Sequence, residues 1–159
     1  IERAPLETAK IFAAFNPVLY SAAKKDKTFP AHLCLIVDEM GLLEKFYTLC
    51  NVAFIGGSFG SRGGQEPMSA AHCGKPVIYG PAMTKFSDET SRLEASGGAI
   101  EVSGHKELKI AIEKLFLEPS SVLSVGQKAL SASGGDIGSV TRTLKEIADF
   151  ISEDAEYSK

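Results

Sequence analysis

The chain has 159 residues, enough for one domain with a substantial core, and 44% of them are apolar, as in an ordinary globular protein. A formal net charge of −3 leaves no basic footprint for DNA or RNA. No apolar run approaches the ~20 residues that a membrane-spanning helix needs, no signal peptide is visible, and the chain begins at Ile1 rather than Met, as a fragment does.

In chain order, residues 4–14 read as a helix with Leu6, Ala9, Ile11, Phe12 and Ala13 on an apolar face; Pro5 suits its first turn and Asn16-Pro17 stops it. Residues 18–20 read as a short strand and 24–28 as a charged loop. His32 to Val37 is an apolar run of strand length. Residues 41–50 read as a short helix, with Leu42, Leu43, Phe46 and Leu49 at helical spacing. Residues 52–55 form a second buried strand, followed by a glycine cluster and a helix over 66–73 with Pro67 at its start. A third strand (76–79), a helix (86–95) and a fourth strand (99–102) follow. Residues 106–116, 121–131 and 137–151 are the last helices; Val140, Leu144, Ile147 and Ile151 make the buried stripe of the final one. Cys34, Cys50 and Cys73 are odd in number and far apart, so three buried, reduced thiols and a reducing compartment are expected.

Short apolar strands alternating with helices predict an α/β fold, a parallel sheet with helices on both faces. No repeat or low-complexity linker divides the chain. Residues 1–152 read as one domain and 153–159 as a flexible acidic tail.

The informative stretch is Phe54-Ile55-Gly56-Gly57-Ser58-Phe59-Gly60-Ser61-Arg62-Gly63-Gly64-Gln65-Glu66-Pro67. A buried strand runs into glycines and a helix starts soon after, which puts the loop at the carboxyl edge of the sheet, where ligands bind. Glycines admit close backbone approach, and free N–H groups at a helix start favour anions such as phosphate. The spacing is neither GxxxxGK[ST] nor GxGxxG, so neither a P-loop nor a dinucleotide fingerprint is present. The competing reading is a tight strand–helix connection with no ligand. Two further strand ends carry loop residues to the same edge: Gly80-Pro81 after Tyr79, and Asp38-Glu39-Met40-Gly41 after Val37.

Gly56-Gly57-Ser58, Arg62-Gly63-Gly64, Pro67, Ala71, Gly74-Lys75-Pro76-Val77, Gly80-Pro81 and Phe86 together resemble the signature of the Kdo (3-deoxy-D-manno-octulosonic acid) transferases. Asp38-x-Met40-Gly41 resembles a second segment of that family, and Arg3-x-Pro5 faintly resembles a third. The match is nearly gap-free from Asp38 to Val102 and weaker on either side. The resemblance implies the Rossmann-like C-terminal half of a GT-B glycosyltransferase, without its first βαβ unit. It also implies CMP-Kdo as donor. Met40, Gly41, Gly56, Gly57, Ser58, Arg62, Gly63, Gly64, Glu66, Ser69, Gly80 and Pro81 would then line the donor site.

Several positions depart from the family pattern. A histidine and an asparagine after the double glycine are Gln65 and Glu66 here. A donor-contacting glutamate is Ser69; Glu66, three residues away on the same helix face, is placed to reach the same hydroxyls. A histidine and an asparagine after the second glycine-proline pair are Ala82 and Lys85, and a glutamate after the Met-Gly pair is Leu42. Arg62 offers a partner for phosphate or for the Kdo carboxylate, and Lys85 a charge for the same anions; for both the plain alternative is a solvated surface cation. His32, His72 and His105 stand apart from any second ligand, so no metal site is expected, and no cofactor. Ser58 lacks the GxSxG context of a nucleophile.

What the resemblance implies for the parent reaction is displacement at the anomeric carbon of CMP-Kdo by a hydroxyl of a lipid A precursor. The general base would be a glutamate of an acceptor domain outside this chain, so no catalytic residue is assigned here. Membrane association would come only through the parent protein, on the cytoplasmic side of the bacterial inner membrane. No nucleic-acid partner is expected. Two alternatives stay open: a GT-B enzyme for another nucleotide sugar, and a degenerate, non-catalytic nucleotide-binding or scaffold domain.

Overall fold

A computed structural model of the chain describes residues 5–26, 34–134 and 145. Apart from residue 145, the helix read over 137–151 lies outside the described residues, as do the tail 153–159, His32 and Arg3. The chain groups into two compact units, Ile1–Phe46 and Tyr47–Lys159.

In the first unit, α1 (Pro5–Ile11) is followed by a 3-10 turn at Ala13–Phe15, and Asn16 ends it in a left-handed conformation with φ 46°. Strand β1 (Val18–Leu19) pairs in parallel with β2 (Leu35–Ile36), Val18 opposite Leu35 and Leu19 opposite Ile36. Between them Tyr20–Asp26 forms a helix, α2, where a charged loop over 24–28 is expected. The expectation fails because the signal that starts this helix is not local. The Asp38 carboxylate accepts from Ser21 N–H at 3.0 Å and from Ser21 Oγ at 2.6 Å, satisfying an amide of the first turn. The Ser21 hydroxyl, and then its amide, hold the Asp38 carboxyl below the usual carboxylate range. Lys24 on the same helix meets Glu39 at 3.2 Å. Helix α3 (Leu43–Leu49) carries the chain from the first unit into the second.

The second unit is built on a three-stranded parallel sheet, β3 (Ala53–Phe54), β4 (Val77–Tyr79) and β5 (Ala99–Glu101), in the order β3-β4-β5. Its helices are α4 (Met68–His72), α5 (Ser87–Ser96), α6 (His105–Leu117) and α7 (Pro119–Ser133). Pro119 opens α7 in the first turn, where its missing N–H costs nothing.

Strand alternation divides the core into two layers. Val77 and Tyr79 join Ala53, Ile55, Met68, Ala70, Ala71, Leu93 and Ala129 on one face. Ile78 joins Val102, Ala111 and Leu115 on the other, with Val122 and Val125 packed against them. All three residues of β4 are fully buried, as expected for a central parallel strand covered on both sides. Tyr79 is buried without an unpaired hydroxyl: its O–H donates to Glu94 Oε1 at 2.6 Å. Burial first, then Glu94, pushes the Tyr79 hydroxyl far above the usual tyrosine range.

The α/β class and the parallel strands are as the sequence predicts, and helix and strand ends in the second unit lie within a few residues of expectation. The cysteines are free and half-buried rather than fully buried. No helix among the described residues is long and apolar enough to cross a membrane.

Candidate functional site

Strand β3 ends at Phe54, and after Ile55 the chain enters the 56–64 turn. The turn is pinched at its neck by Gly64 N–H donating to Gly57 O at 3.3 Å. Gly57, Gly63 and Gly64 all adopt φ between 75° and 78°. At Gly64 two requirements coincide. The positive φ disfavours any side chain, and a Cβ there would lie 2.2 Å from Met83 Sδ.

Ser58 holds the turn to the loop that follows β4. Its hydroxyl donates to Ile55 O at 2.6 Å and accepts from Gly80 N–H at 2.8 Å, while Ser58 O accepts from Ala82 N–H at 2.8 Å. The side chain is fully buried. It ties the two loops together. Gly80 is required by the same closeness: a Cβ there would lie 2.4 Å from the Phe59 ring and 2.6 Å from Ser58 O. Phe59 in turn stacks on Phe54, with ring centroids 5.7 Å apart and planes at 27°. Both rings are partly exposed. The glycine spacing gave no sign of this aromatic pair.

Glu66 stands at the start of α4, beside Ser69. Its carboxylate turns back onto the start of α4, accepting from Met68 N–H, from Ser69 N–H at 3.0 Å and from Ser69 Oγ at 2.6 Å. Both oxygens are engaged within the protein. Glu66 does the work of a helix cap instead of reaching for sugar hydroxyls, and Ser69 is its partner. His72 is exposed and its Nδ1 lies 2.8 Å from Met68 O, a local contact on α4.

The other expected site residues are placed as follows. Gly56 and Arg62 are exposed on the turn, Gly57 is half-buried, and Gly63 and Gly64 are buried beneath neighbouring side chains. Pro81 is exposed at the mouth of the second loop. The structure thus brings Gly56, Gly57, Arg62, Gly63, Gly64, Gly80 and Pro81 together around the Ser58 tie. Met40 and Gly41 belong to the first unit; Met40 is 88% exposed and Gly41 takes φ 78°. No group of three or more His, Cys, Asp and Glu among the described residues is arranged to hold a metal ion.

No protein-family model matches the chain. Individual relatives do, and each is a 3-deoxy-D-manno-octulosonic acid transferase. The protein of Chlamydophila psittaci (strain ATCC VR-125 / 6BC) is 37% identical over 81 residues, 50% of this chain and 19% of the relative. That of Bordetella pertussis is 29% identical over 117 residues, 74% of this chain and 27% of the relative. That of Aquifex aeolicus (strain VF5) is 32% identical over 100 residues, 63% of this chain and 28% of the relative. These matches thus cover between 19% and 28% of the relatives' lengths. Among solved structures, the C-terminal CMP-Kdo binding domain of WaaA from Acinetobacter baumannii superposes with a TM-score of 0.68. It is 18% identical and covers 83% of this chain and 70% of that one. That likeness establishes the fold. The resemblance to Kdo transferases read from the glycine-rich motif is the one the relatives return.

Proposed function

We propose that this chain is the donor-binding part of a glycosyltransferase that transfers Kdo from CMP-Kdo to a lipid A precursor in lipopolysaccharide biosynthesis. The observation that carries this reading is the 56–64 turn. It sits at the carboxyl edge of β3, is built on glycines at positive φ, and is tied by Ser58 to the loop after β4, in a chain whose relatives are Kdo transferases.

In the parent reaction, a hydroxyl oxygen of the acceptor forms a bond to the anomeric carbon of Kdo. The bond from that carbon to the phosphate oxygen breaks, and CMP departs with the electron pair. The hydroxyl proton passes to a base of the acceptor half, outside this chain. The role of the present residues is to hold CMP as negative charge grows on its phosphate. Backbone N–H groups of a rigid turn do this well, because they need no reorganisation when the charge appears. Gly56, Gly57, Gly63, Gly64, Gly80 and Pro81 shape the donor site. The acceptor and the attachment to the cytoplasmic face of the inner membrane belong to the rest of the parent protein.

Titration of the 159-residue chain with CMP, UDP and GDP, followed through backbone amide spectra, tests the reading. CMP is expected to shift amides of 56–64 and 80–82, with UDP and GDP weaker. Tighter binding of UDP or GDP would move the chain to another GT-B donor class. Indifference to all three would leave a non-catalytic module. The closure of Glu66 onto Ser69, which removes an acidic group from the site, is the observation that favours this last reading.

A further inference from the structure

We propose that Arg62 and Lys85 form a two-cation clamp across the neck of the 56–64 turn that grips the phosphate of the bound nucleotide. The nucleotide part of this statement rests on the function proposed above; the phosphate part stands on the geometry alone.

The neck is defined by the Gly64 N–H to Gly57 O bond. Arg62 lies against Gly57: a Cβ on Gly57 would be 3.5 Å from Arg62 Cβ and 3.8 Å from its Cδ. Lys85 lies against Gly63 of the same turn: a Cβ on Gly63 would be 3.0 Å from Lys85 Cγ and 3.2 Å from its Cε. Two glycines that lack side chains thus give the stems of two cations a bed on the same turn. Lys85 is 22 residues beyond Gly63 in sequence, yet it is not carried on an independent loop. Ser58 ties Gly80 and Ala82 to the turn, and Met83 packs on Gly64, so the 3-10 turn Thr84–Phe86 that bears Lys85 shares one frame with Arg62.

Both cations are exposed, and among the described residues neither takes part in an ion pair or a hydrogen bond. The acidic groups at hand do not neutralise them. Glu66, four residues beyond Arg62, is engaged by Met68 and Ser69. Asp88 and Glu89 stand in the first turn of α5, three and four residues beyond Lys85, and pair with neither cation. Glu66 also occupies the first amides of α4, so an anion at the turn draws its countercharge from these side chains rather than from that helix. Arginine and lysine complement each other in this task. The guanidinium gives a planar, two-pronged contact and the ammonium a compact charge on a flexible stem.

The test compares the wild-type chain with Arg62→Met, Lys85→Met and Lys85→Arg in titrations with CMP, cytidine and inorganic pyrophosphate, each followed by amide spectra. CMP and pyrophosphate affinities are expected to fall about ten-fold in each methionine variant, the worth of one charge-assisted hydrogen bond. Cytidine affinity should stay unchanged, and Lys85→Arg should recover most of the loss. The exposed positions of both side chains leave the fold unaltered, which the same spectra check. CMP bound with wild-type affinity by both methionine variants would overturn the clamp while leaving the donor reading intact. Pyrophosphate bound through Arg62 and Lys85, with CMP bound no better than pyrophosphate, would keep the clamp and remove the nucleotide reading. A wild-type chain that binds neither anion overturns both.

Discussion

In the second unit, Val77, Ile78, Tyr79, Leu93 and Ala129 are all at 0% exposure. In the first, Ala23 is the one buried apolar side chain among the described residues, and Leu6, Ile11 and Phe15 are each more than 60% exposed. Both units are built from the same kind of sequence, short apolar strands followed by helices. They differ in how much sheet stands behind the pattern. Three strands with helices on both faces close two layers around β4. A ladder of two residue pairs shelters almost nothing, and an amphipathic helix beside it keeps its apolar face open. Hydrophobic periodicity states which side of an element seeks burial; it does not supply the surface that buries it. The ligand-facing frame has formed where the core has formed.

The largest expected effect tests that contrast directly. Leu93→Ala should lower unfolding stability by about 2–5 kcal/mol, whereas Ile11→Ala, already 63% exposed, should cost less than about 1 kcal/mol. Urea unfolding followed by circular dichroism checks both, and equal losses would erase the difference between the units. Next, Ser58→Ala leaves Ile55 O and Gly80 N–H without their partner in the interior, at a cost of about 1–3 kcal/mol. Hydrogen exchange should accelerate at Gly80 and Ala82 together; acceleration at Gly80 alone would show that the two loops are not held as one.

A pH-dependent effect sharpens the picture of the core. The Tyr79 hydroxyl resists ionisation in the folded chain, whereas in the unfolded chain it ionises near its ordinary value of about 10. The unfolded state therefore releases a proton that the folded state keeps. The resulting stability is present below pH ~10 and is lost as pH rises above it. Urea midpoints should fall between pH 9 and 11, and Tyr79→Phe should flatten the slope; a slope unchanged by the substitution would place its origin elsewhere. The smallest effect belongs to the first unit. Glu39→Gln breaks an exposed pair with Lys24 and should change stability by no more than about 0.5 kcal/mol, so a larger loss in the same urea assay would mean that this surface contact helps to hold the unit.

What could be read from the sequence follows the range of the interactions. Strand β4 and helices α5 to α7 were legible because Val77-Ile78-Tyr79, Leu93, Leu108 and Leu115 announce themselves within a few residues. Helix α2 was not, because Asp38 caps Ser21 from 17 positions away. The glycine turn was legible as a turn at the sheet edge. The inward aim of Ser58 was not, since its partner Gly80 lies 22 positions on. Glu66 is the instructive miss. Its capping of Ser69 spans three residues and sits next to Pro67, a local helix-start signal that competes with the role suggested by resemblance. The bed that Gly63 provides for Lys85 had no sequence signal at all.

The bond between Ser58 and Gly80 also separates the positions that can change from those that cannot. Gly80 is held by Ser58 O, so a side chain there would move the two loops apart, and Gly64 takes a φ of 78° that disfavours any side chain. Gln65 and Lys85 stand on the exposed rim, and Ala82 and Ser69 are half-exposed beside it. These four are among the places where the chain departs from the Kdo transferase pattern, while the glycines and Ser58 match it. Divergence in such a domain can therefore alter which groups meet a ligand without disturbing the scaffold that presents them. A change of ligand preference would be written in the rim, one exposed residue at a time.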